Sequence, residues 1–240
     1  MTHKILITGA NRAVGLEMSK QLGLQGYKVI LGVRDLAKGQ IALHGLVQAG
    51  VTRAQLDLVQ VDLQNSESLI NAANYVEKKH PDLDVLVNNA GIAADMQKPA
   101  LDTPLSDYKE TLDINFLGTL QVIQHFLPVI KQNKGKIVAI TGPLTATTWY
   151  NPAAYRVSKI ALNGLIQTLA VDVVNKKLPI SIFGIFPGGV STDINGHRQG
   201  PYMKSVAEGA RDIINIMLAD KEQNGKIIRP NGNILSEIQD

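Results

Sequence analysis

The chain contains no cysteine among its 240 residues. This absence excludes disulfide bonds and every metal site that is built on thiolates. The five histidines are spread along the chain without the short spacing that pairs of metal ligands show. The sequence therefore predicts a protein that holds no metal ion.

An excess of charge of either sign is also missing. The 24 lysines and arginines are scattered among 21 acidic residues, which leaves a net charge of only +3. Because no basic run or stripe forms, the charge pattern argues against a nucleic-acid partner. A charged and apolar leader and a long uninterrupted apolar stretch are absent too, so we expect no membrane partner and a cytoplasmic location.

What the sequence does contain is a regular alternation of apolar, strand-like segments and helical patterns. Hydrophobic residues make up 45% of the chain and no linker-like segment divides it, so we expect one domain over residues 1–240. The alternation predicts a doubly wound α/β domain of Rossmann type, with a mostly parallel sheet flanked by helices. The predicted strands cover residues 5–8, 29–33, 55–61, 85–88, 136–141, 180–186 and 226–228. The predicted helices cover residues 15–26, 37–49, 66–80, 106–131, 152–175 and 206–219.

A glycine-containing turn links the first strand to the first helix. Gly9 permits a tight turn and Gly15 permits close packing of the helix on the strand, while Ala13 stands where a glycine would fit better. Backbone N–H groups at such a helix N-terminus can bind a pyrophosphate. The residues predicted to approach the phosphates are Gly9, Asn11, Arg12, Ala13, Val14 and Gly15.

Polar residues follow two later strands. Asp62 and Leu63 come after the third strand, and Asn89, Ala90 and Gly91 come after the fourth. At the carboxyl edge of a parallel sheet these groups could hold the adenine and a ribose of a dinucleotide. Each of them alone is equally compatible with helix capping or turn formation.

The second strand ends in Val33-Arg34-Asp35, where the adenosine ribose of a nicotinamide dinucleotide would lie. Asp35 could accept a hydrogen bond from the 2′-hydroxyl of NAD. Alternatively, Asp35 is the N-cap of the next helix, which leaves Arg34 and Arg12 to bind a 2′-phosphate. We favour the second interpretation and therefore predict NADPH (NADP+) as the cofactor.

Tyr155 and Lys159 are four residues apart on a predicted helix, so their side chains share one face. A phenol titrates near about 10 in water, and a neighbouring ammonium group favours its ionised form. The pair can therefore transfer protons in a redox reaction, although, taken without the other motifs, two exposed side chains on a helix would be the better interpretation.

The motifs, in this order, resemble those of the short-chain dehydrogenase/reductase family over essentially the whole chain. The matching residues are Gly9 and Gly15, Asn89 to Gly91, Asn115, Tyr155 and Lys159, and the turn that holds Pro187, Gly188, Val190 and Thr192. The resemblance implies that Tyr155 is the proton donor, that Lys159 binds the nicotinamide ribose and that Asn115 holds a water. It also implies that Thr192 contacts the carboxamide and that the protein is a homodimer or homotetramer. Val206 to Ala210 and the segment 224–229 are similar to the carbonyl-reductase-like branch, which implies a small-molecule ketone or aldehyde as substrate.

Gly142 departs from this pattern, because the family normally carries a serine thirteen residues before the tyrosine. The missing hydroxyl could be supplied by Thr141, Thr145, Thr147 or Thr148. If none supplies it, the protein is a catalytically weak NADP(H)-binding sensor or regulatory protein. We also expect that Gly142→Ser raises kcat/KM, provided that the backbone accepts a side chain there.

Overall fold

The computed structural model describes residues 3–148 and 151–239, and an eight-stranded sheet forms its centre. In spatial order the strands are β10 (Ile234–Ser236), β9 (Ile227–Ile228), β6 (Ser181–Ile185), β5 (Lys136–Ile140), β4 (Val85–Asn88), β1 (Lys4–Thr8), β2 (Lys28–Val33) and β3 (Leu56–Gln60). All neighbours are parallel except β9 and β10. The strand order reverses beside β1, which confirms the predicted doubly wound α/β fold.

Seven helices cover the two faces of the sheet within the described residues. They are α1 (Ala13–Leu24), α2 (Leu36–Gln48), α3 (Ser66–Lys79), α4 (Leu105–Leu112), α5 (Thr119–Gln132), α6 (Ala153–Asn175) and α7 (Val206–Leu218). Side chains of α1, α2 and α7 pack with Ile5 and Ile7 on one face, and side chains of α3, α5 and α6 pack with Leu6 on the other. Because successive residues of a strand point to opposite faces, β1 supplies apolar side chains to both layers.

Three features differ from the sequence prediction. The expected helix over residues 106–131 is interrupted by a π-helical stretch, Asp113–Gly118, between α4 and α5. A second, two-stranded sheet forms from β7 (Gly189–Val190) and β8 (Met203–Lys204). The third is the antiparallel edge strand β10. Apolar periodicity could not reveal them, because the two strands of the small sheet and β10 are too short for a pattern and a π-helical stretch differs little from an α-helix in its spacing.

By length and composition alone, α6 is long and apolar enough to cross a membrane. It buries Leu162 and Ile166 in the layer between the helices and the sheet. It also carries Tyr155 and Lys159 on a face that lines a cleft. Core helices of globular domains meet the same criterion, so the length and hydropathy of α6 are weak evidence for a membrane partner.

Candidate active site

A cleft of about 980 Å³ lies at the carboxyl ends of the central strands. Every residue predicted to contact the cofactor lines it. These residues are Gly9, Asn11, Arg12, Ala13, Val14, Gly15, Arg34, Asp62, Leu63, Asn89, Ala90, Gly91, Tyr155, Lys159, Pro187, Gly188, Val190 and Thr192. The fold thus brings segments that are up to 183 residues apart in the sequence to one surface, Gly9 being the first and Thr192 the last.

The glycine turn has no room for side chains at its two ends. Gly9 has φ +66°, a left-handed conformation that glycine adopts at little cost. A Cβ atom at Gly15 would lie 2.5 Å from the carbonyl oxygen of Gly9 and 2.6 Å from Nδ2 of Asn89. Ala13 has φ +45°, which explains why a glycine would fit better at that position. The turn is therefore held in the compact form that a close approach to phosphate requires.

Hydrogen bonds join the end of β1 to the end of β4. The Thr8 hydroxyl accepts from the backbone N–H groups of Asn89 and Ala90, both at 3.0 Å. Nδ2 of Asn89 donates to the Thr8 carbonyl oxygen at 2.9 Å. Thr8 is 1% exposed, so these bonds lie under the glycine turn and fix its position relative to β4.

The adenosine end of the cleft carries cations. Oδ1 of Asp35 accepts from the backbone N–H of Lys38 at 3.1 Å, so Asp35 is the N-cap of α2, which is the second of the two interpretations of this residue. Val33 is completely buried. Arg34 and Lys38 both line the cleft, and Lys38 is a site residue that the sequence analysis missed. Arg12 lies farther along, with Nη1 3.3 Å from Oδ2 of Asp193.

Asp62 and Leu63 have structural contacts of their own at the end of β3. Oδ1 of Asp62 accepts from the backbone N–H of Gln64 at 3.1 Å, which closes a turn. Leu63 is 7% exposed. It packs against Gly118, where an added Cβ atom would lie 2.8 Å from Cβ of Leu63. Both residues nevertheless line the cleft. Their surfaces there are available to an adenine ring.

Lys159 is buried beside Tyr155. Its Nζ atom donates to the Ile140 carbonyl oxygen at 2.7 Å and lies 5.6 Å from the centre of the Tyr155 ring. Only 4% of Lys159 is exposed. Because burial removes water from the ammonium group, it lowers the pKa of Lys159 to about 8. The ammonium group can therefore gain or lose a proton close to neutral pH.

Asn115 lies beneath the cleft rather than on its surface. Its Oδ1 accepts from the backbone N–H of Ile92 at 2.8 Å, and its Nδ2 donates to the Ile92 carbonyl oxygen at 2.8 Å and to Oγ of Ser158 at 2.9 Å. The side chain is completely buried. These bonds tie the π-helical stretch to the segment after Gly91 and to α6. The water that the resemblance implies at Asn115 stays a prediction.

Gly142 lies directly after β5 and against α6. Nδ2 of Asn163 donates to its carbonyl oxygen at 3.0 Å. A Cβ atom at Gly142 would lie only 2.8 Å from Cβ of Lys159, an atom fixed close to the helix backbone. Although Gly142 does not have a positive φ, a serine there would displace Lys159 or the end of β5. This close contact argues against a gain in activity from Gly142→Ser.

The four candidate threonines are not equivalent. The Thr141 hydroxyl oxygen is buried and has no hydrogen-bond partner among residues 3–148 and 151–239. Thr141, Thr145 and Thr147 all line the cleft, Thr145 and Thr147 with more exposed side chains, whereas Thr148 is exposed elsewhere. The Thr145 carbonyl oxygen accepts from Nη1 of Arg156, which holds this loop against α6. Thr145 and Thr147 are therefore the hydroxyl groups that could face a substrate.

A model of the short chain dehydrogenase family matches residues 3–201. The chain belongs to this family. It is 32% identical to short-chain dehydrogenase anuI of Penicillium roqueforti over 93% of its own length and 92% of that protein. It is 31% identical to carbonyl reductase (NADPH) 1 of Pongo abelii over 72% of its own length and 61% of that protein. An NADPH-bound carbonyl reductase from chicken fatty liver superposes with a TM-score of 0.85, at 26% identity, over 97% of this chain and 98% of that one.

Membership of the short-chain dehydrogenase family makes this protein an oxidoreductase. Its glycine turn and its Tyr155–Lys159 pair occupy the cleft together. Beyond the matched motifs, the sequence analysis missed Asn195, whose Oδ1 accepts from the Thr192 backbone N–H at 3.1 Å and whose Nδ2 donates to the Val190 carbonyl oxygen at 2.8 Å. An asparagine three residues after Thr192 is the sequence signal for such a cap.

Proposed function

We propose that this short-chain dehydrogenase reduces a ketone or an aldehyde to an alcohol with NADPH. The observation that carries the proposal is the position of Lys159, whose buried ammonium group lies beside Tyr155 in the same cleft as the glycine turn. A proton donor and a phosphate-binding turn in one cleft are what this reaction needs. The NADPH-bound relative from chicken supports the same cofactor.

The residues at the glycine turn fit a dinucleotide. Gly15 allows the turn to pack closely, because a Cβ atom there would collide with the Gly9 carbonyl oxygen. The N-terminus of α1 can thus present backbone donors to a pyrophosphate. Arg34 and Lys38 lie where a 2′-phosphate would need cations. The Asp35 side chain, which could select NAD, instead caps α2 by accepting a hydrogen bond from the Lys38 backbone N–H. When bound, NADPH supplies the hydride that adds to the carbonyl carbon.

The protein residues supply and control the proton. Tyr155 donates its phenolic proton to the carbonyl oxygen as the C=O π bond is reduced, so that the products are the alcohol and NADP+. Lys159 then returns a proton to Tyr155, which its pKa of about 8 allows at neutral pH. Lys159 also binds the nicotinamide ribose, and Thr192 orients the carboxamide. Asn115 acts through the π-helical stretch, which it holds against Ile92.

Thr145 or Thr147 completes the site in this proposal. The negative charge that develops on the substrate oxygen needs a second hydrogen-bond donor, and Gly142 provides none. The contact between Arg156 and the Thr145 carbonyl oxygen keeps both threonines at the cleft surface. A hydroxyl from this loop therefore takes the place of the serine.

The proposal is tested with Tyr155→Phe. We expect the variant to lose carbonyl reduction while its NADPH affinity, measured by calorimetry, changes less than about threefold, since the phenol acts on the substrate oxygen. Tyr108→Phe, which alters a tyrosine bonded to the Ala100 carbonyl oxygen, is the matched control and should retain activity. Substantial turnover by Tyr155→Phe would remove this residue from the mechanism.

A second candidate function is favoured by one observation. Gly142 lacks the serine hydroxyl and the Thr141 hydroxyl is buried, so the site could bind NADP(H) and turn over slowly, as a sensor or regulatory protein does. The two functions are separated by assaying activated ketones with NADPH under saturating conditions. Tight NADPH binding without turnover of any ketone would favour the sensor.

We also propose that the protein is a homodimer or homotetramer. Apolar side chains are exposed along one face of α6 at helical spacing. They are Val157 (42% exposed), Ile160 (38%), Val171 (41%) and Val174 (57%). Covering this face with a second copy would remove apolar surface from water. Light scattering on wild type and on Val171→Asp tests this, and a wild-type monomer would refute it.

A further inference from the structure

We propose that the substrate carries a carboxylate in addition to its carbonyl group, and that Arg229 binds that carboxylate. The inference rests on the proposed reductase function, because it names the class of substrate for the same cleft. Arg229 lines the cleft directly after β9, and its Cζ atom lies 5.9 Å from the centre of the Phe186 ring. Arg229 is exposed to solvent, and this cation–π contact favours a position of its guanidinium group at the cleft wall.

The backbone fixes Arg229 at this place. Its N–H donates to the Asn233 carbonyl oxygen at 2.9 Å, and its carbonyl oxygen accepts from the N–H of Gly232 at 2.8 Å. Gly232 has φ +81°, which allows the tight turn between β9 and β10. Arg229 therefore lies in a hairpin between β9 and the edge strand β10, rather than in an unsupported loop.

Arg229 lies too far from the adenosine end to serve the cofactor phosphates there. In the sheet, β9 and β2 are separated by four strands, β6, β5, β4 and β1. Five steps of roughly 4.8 Å place the end of β9 about 24 Å from the end of β2, where Arg34 lies. Phe186, on which Arg229 stacks, immediately precedes the Pro187–Gly188 turn. An anion bound by Arg229 therefore lies on the Phe186 side of the cleft, away from Arg34.

No carboxylate of the protein neutralises Arg229 within residues 3–148 and 151–239. Three carboxylates line the cleft there, and each has a partner elsewhere. Asp35 caps α2, Asp62 closes its own turn, and Asp193 pairs with Arg12 and His197. A guanidinium group that lacks an acidic partner matches the planar geometry of a carboxylate.

This half of the cleft has a large apolar surface beside the polar side chains of Asn195, Arg198 and Gln199. Its lining includes Ile92, Met96, Phe186, Ile194, Tyr202 and Met203. A substrate that matches it has an apolar or aromatic body between the reacting carbonyl and the anionic end. The chemical class is therefore an oxo acid with a hydrophobic body.

The experiment compares each acid with its own methyl ester, so that only the charge differs. The probes are 4-oxo-4-phenylbutanoate and 5-oxo-5-phenylpentanoate, each assayed with NADPH. Binding to the protein–NADP+ complex is measured by calorimetry, which reports even where turnover is slow. We expect kcat/KM and affinity for at least one acid to exceed those for its ester by about tenfold or more.

Arg229→Gln should bring the acid-over-ester ratio close to one, mainly through KM for the acid, and Arg229→Lys should restore part of it. Arg211→Gln, which removes an exposed arginine of α7 outside the cleft lining, is the matched control and should leave the ratio unchanged. Acids that bind no better than their esters, or a ratio that survives Arg229→Gln, would overturn the proposal. Reduction of the esters alone would overturn the carboxylate proposal and leave the reductase function standing, whereas NADPH binding without turnover of the acids, the esters or any activated ketone would reject that function separately.

Discussion

The glycine-turn end and the Tyr155 end of the cleft follow the family pattern to different degrees. At the glycine-turn end, Gly9, Gly15 and Asn89 all have the close contacts that their motifs predict. At the Tyr155 end, Tyr155 and Lys159 match the pattern, but Gly142 does not. The first end depends on backbone conformation, which tolerates few residue types. The second depends on which side chain reaches the substrate, and several arrangements can supply a donor there.

Gly15→Ala should have the largest effect, because it breaks the end of the cleft that has no spare room. The new Cβ atom would meet the Gly9 carbonyl oxygen at 2.5 Å, so the turn must open. We expect NADPH affinity to fall about a hundredfold or more, as measured by calorimetry, and the thermal midpoint to fall. Gly45→Ala is the control, since no atom lies within 4 Å of a Cβ there. It should raise stability by about 0.5–1 kcal/mol.

The threonine loop gives the next largest effect. Thr145→Val or Thr147→Val should lower kcat about a hundred- to a thousandfold, the cost of one oxyanion donor. Thr141→Val should lower kcat less than tenfold because the Thr141 hydroxyl oxygen is buried, although the residue itself lines the cleft. Steady-state kinetics with one ketone decide between them. Unchanged rates in both cleft-facing variants would show that oxyanion stabilisation does not come from this loop.

The buried ammonium group predicts a pH-dependent stability. Lys159 has its pKa lowered to about 8 in the folded protein, below its unfolded value, so the unfolded state binds more protons between the two pKa values. The free energy of unfolding should therefore rise with pH from about 8 to 10, by up to about 3 kcal/mol from this group. The penalty of burying the charge is fully present below pH 8. Lys159→Met should remove this part of the slope in urea titrations, and an identical slope would contradict the assignment.

Gly142→Ser tests whether the Tyr155 end of the cleft has room for a side chain at position 142. Because its Cβ atom would lie 2.8 Å from Cβ of Lys159, we expect a loss of about 1–3 kcal/mol in stability and a lower kcat. Urea unfolding and steady-state kinetics measure the two effects. A variant that is as stable as wild type and faster would mean that the end of β5 moves easily to admit a side chain.

The smallest effect concerns cofactor choice. Arg34→Ala and Lys38→Ala should each weaken NADPH binding about tenfold and leave NADH binding nearly unchanged, since only NADPH carries the 2′-phosphate. Calorimetry with both cofactors measures the difference. Equal affinity of the wild type for NADH and NADPH would reject the phosphate assignment.

Much of the fold and of the site could be predicted because they depend on local patterns. The alternation of strands and helices follows from apolar periodicity, and the positions of Gly9, Gly15, Tyr155 and Lys159 follow from motif spacing. The sequence showed that Asp35 could either accept a hydrogen bond from the 2′-hydroxyl of NAD or cap α2. The hydrogen bond from the Lys38 N–H was needed to choose between these two roles. The apolar periodicity of the sequence carries no information on such a hydrogen bond.

The sequence by itself determined the α/β class, the family and the residues that meet at the carboxyl edge of the sheet, because these depend on short-range patterns that few folds share. Only the tertiary structure decided that Asn115 lies under the cleft, that Lys159 blocks a side chain at Gly142 and that Arg229 lines the cleft. Each of these facts is a contact between segments that are distant in the chain. Such contacts depend on how helices and strands pack, and packing is not encoded in local spacing.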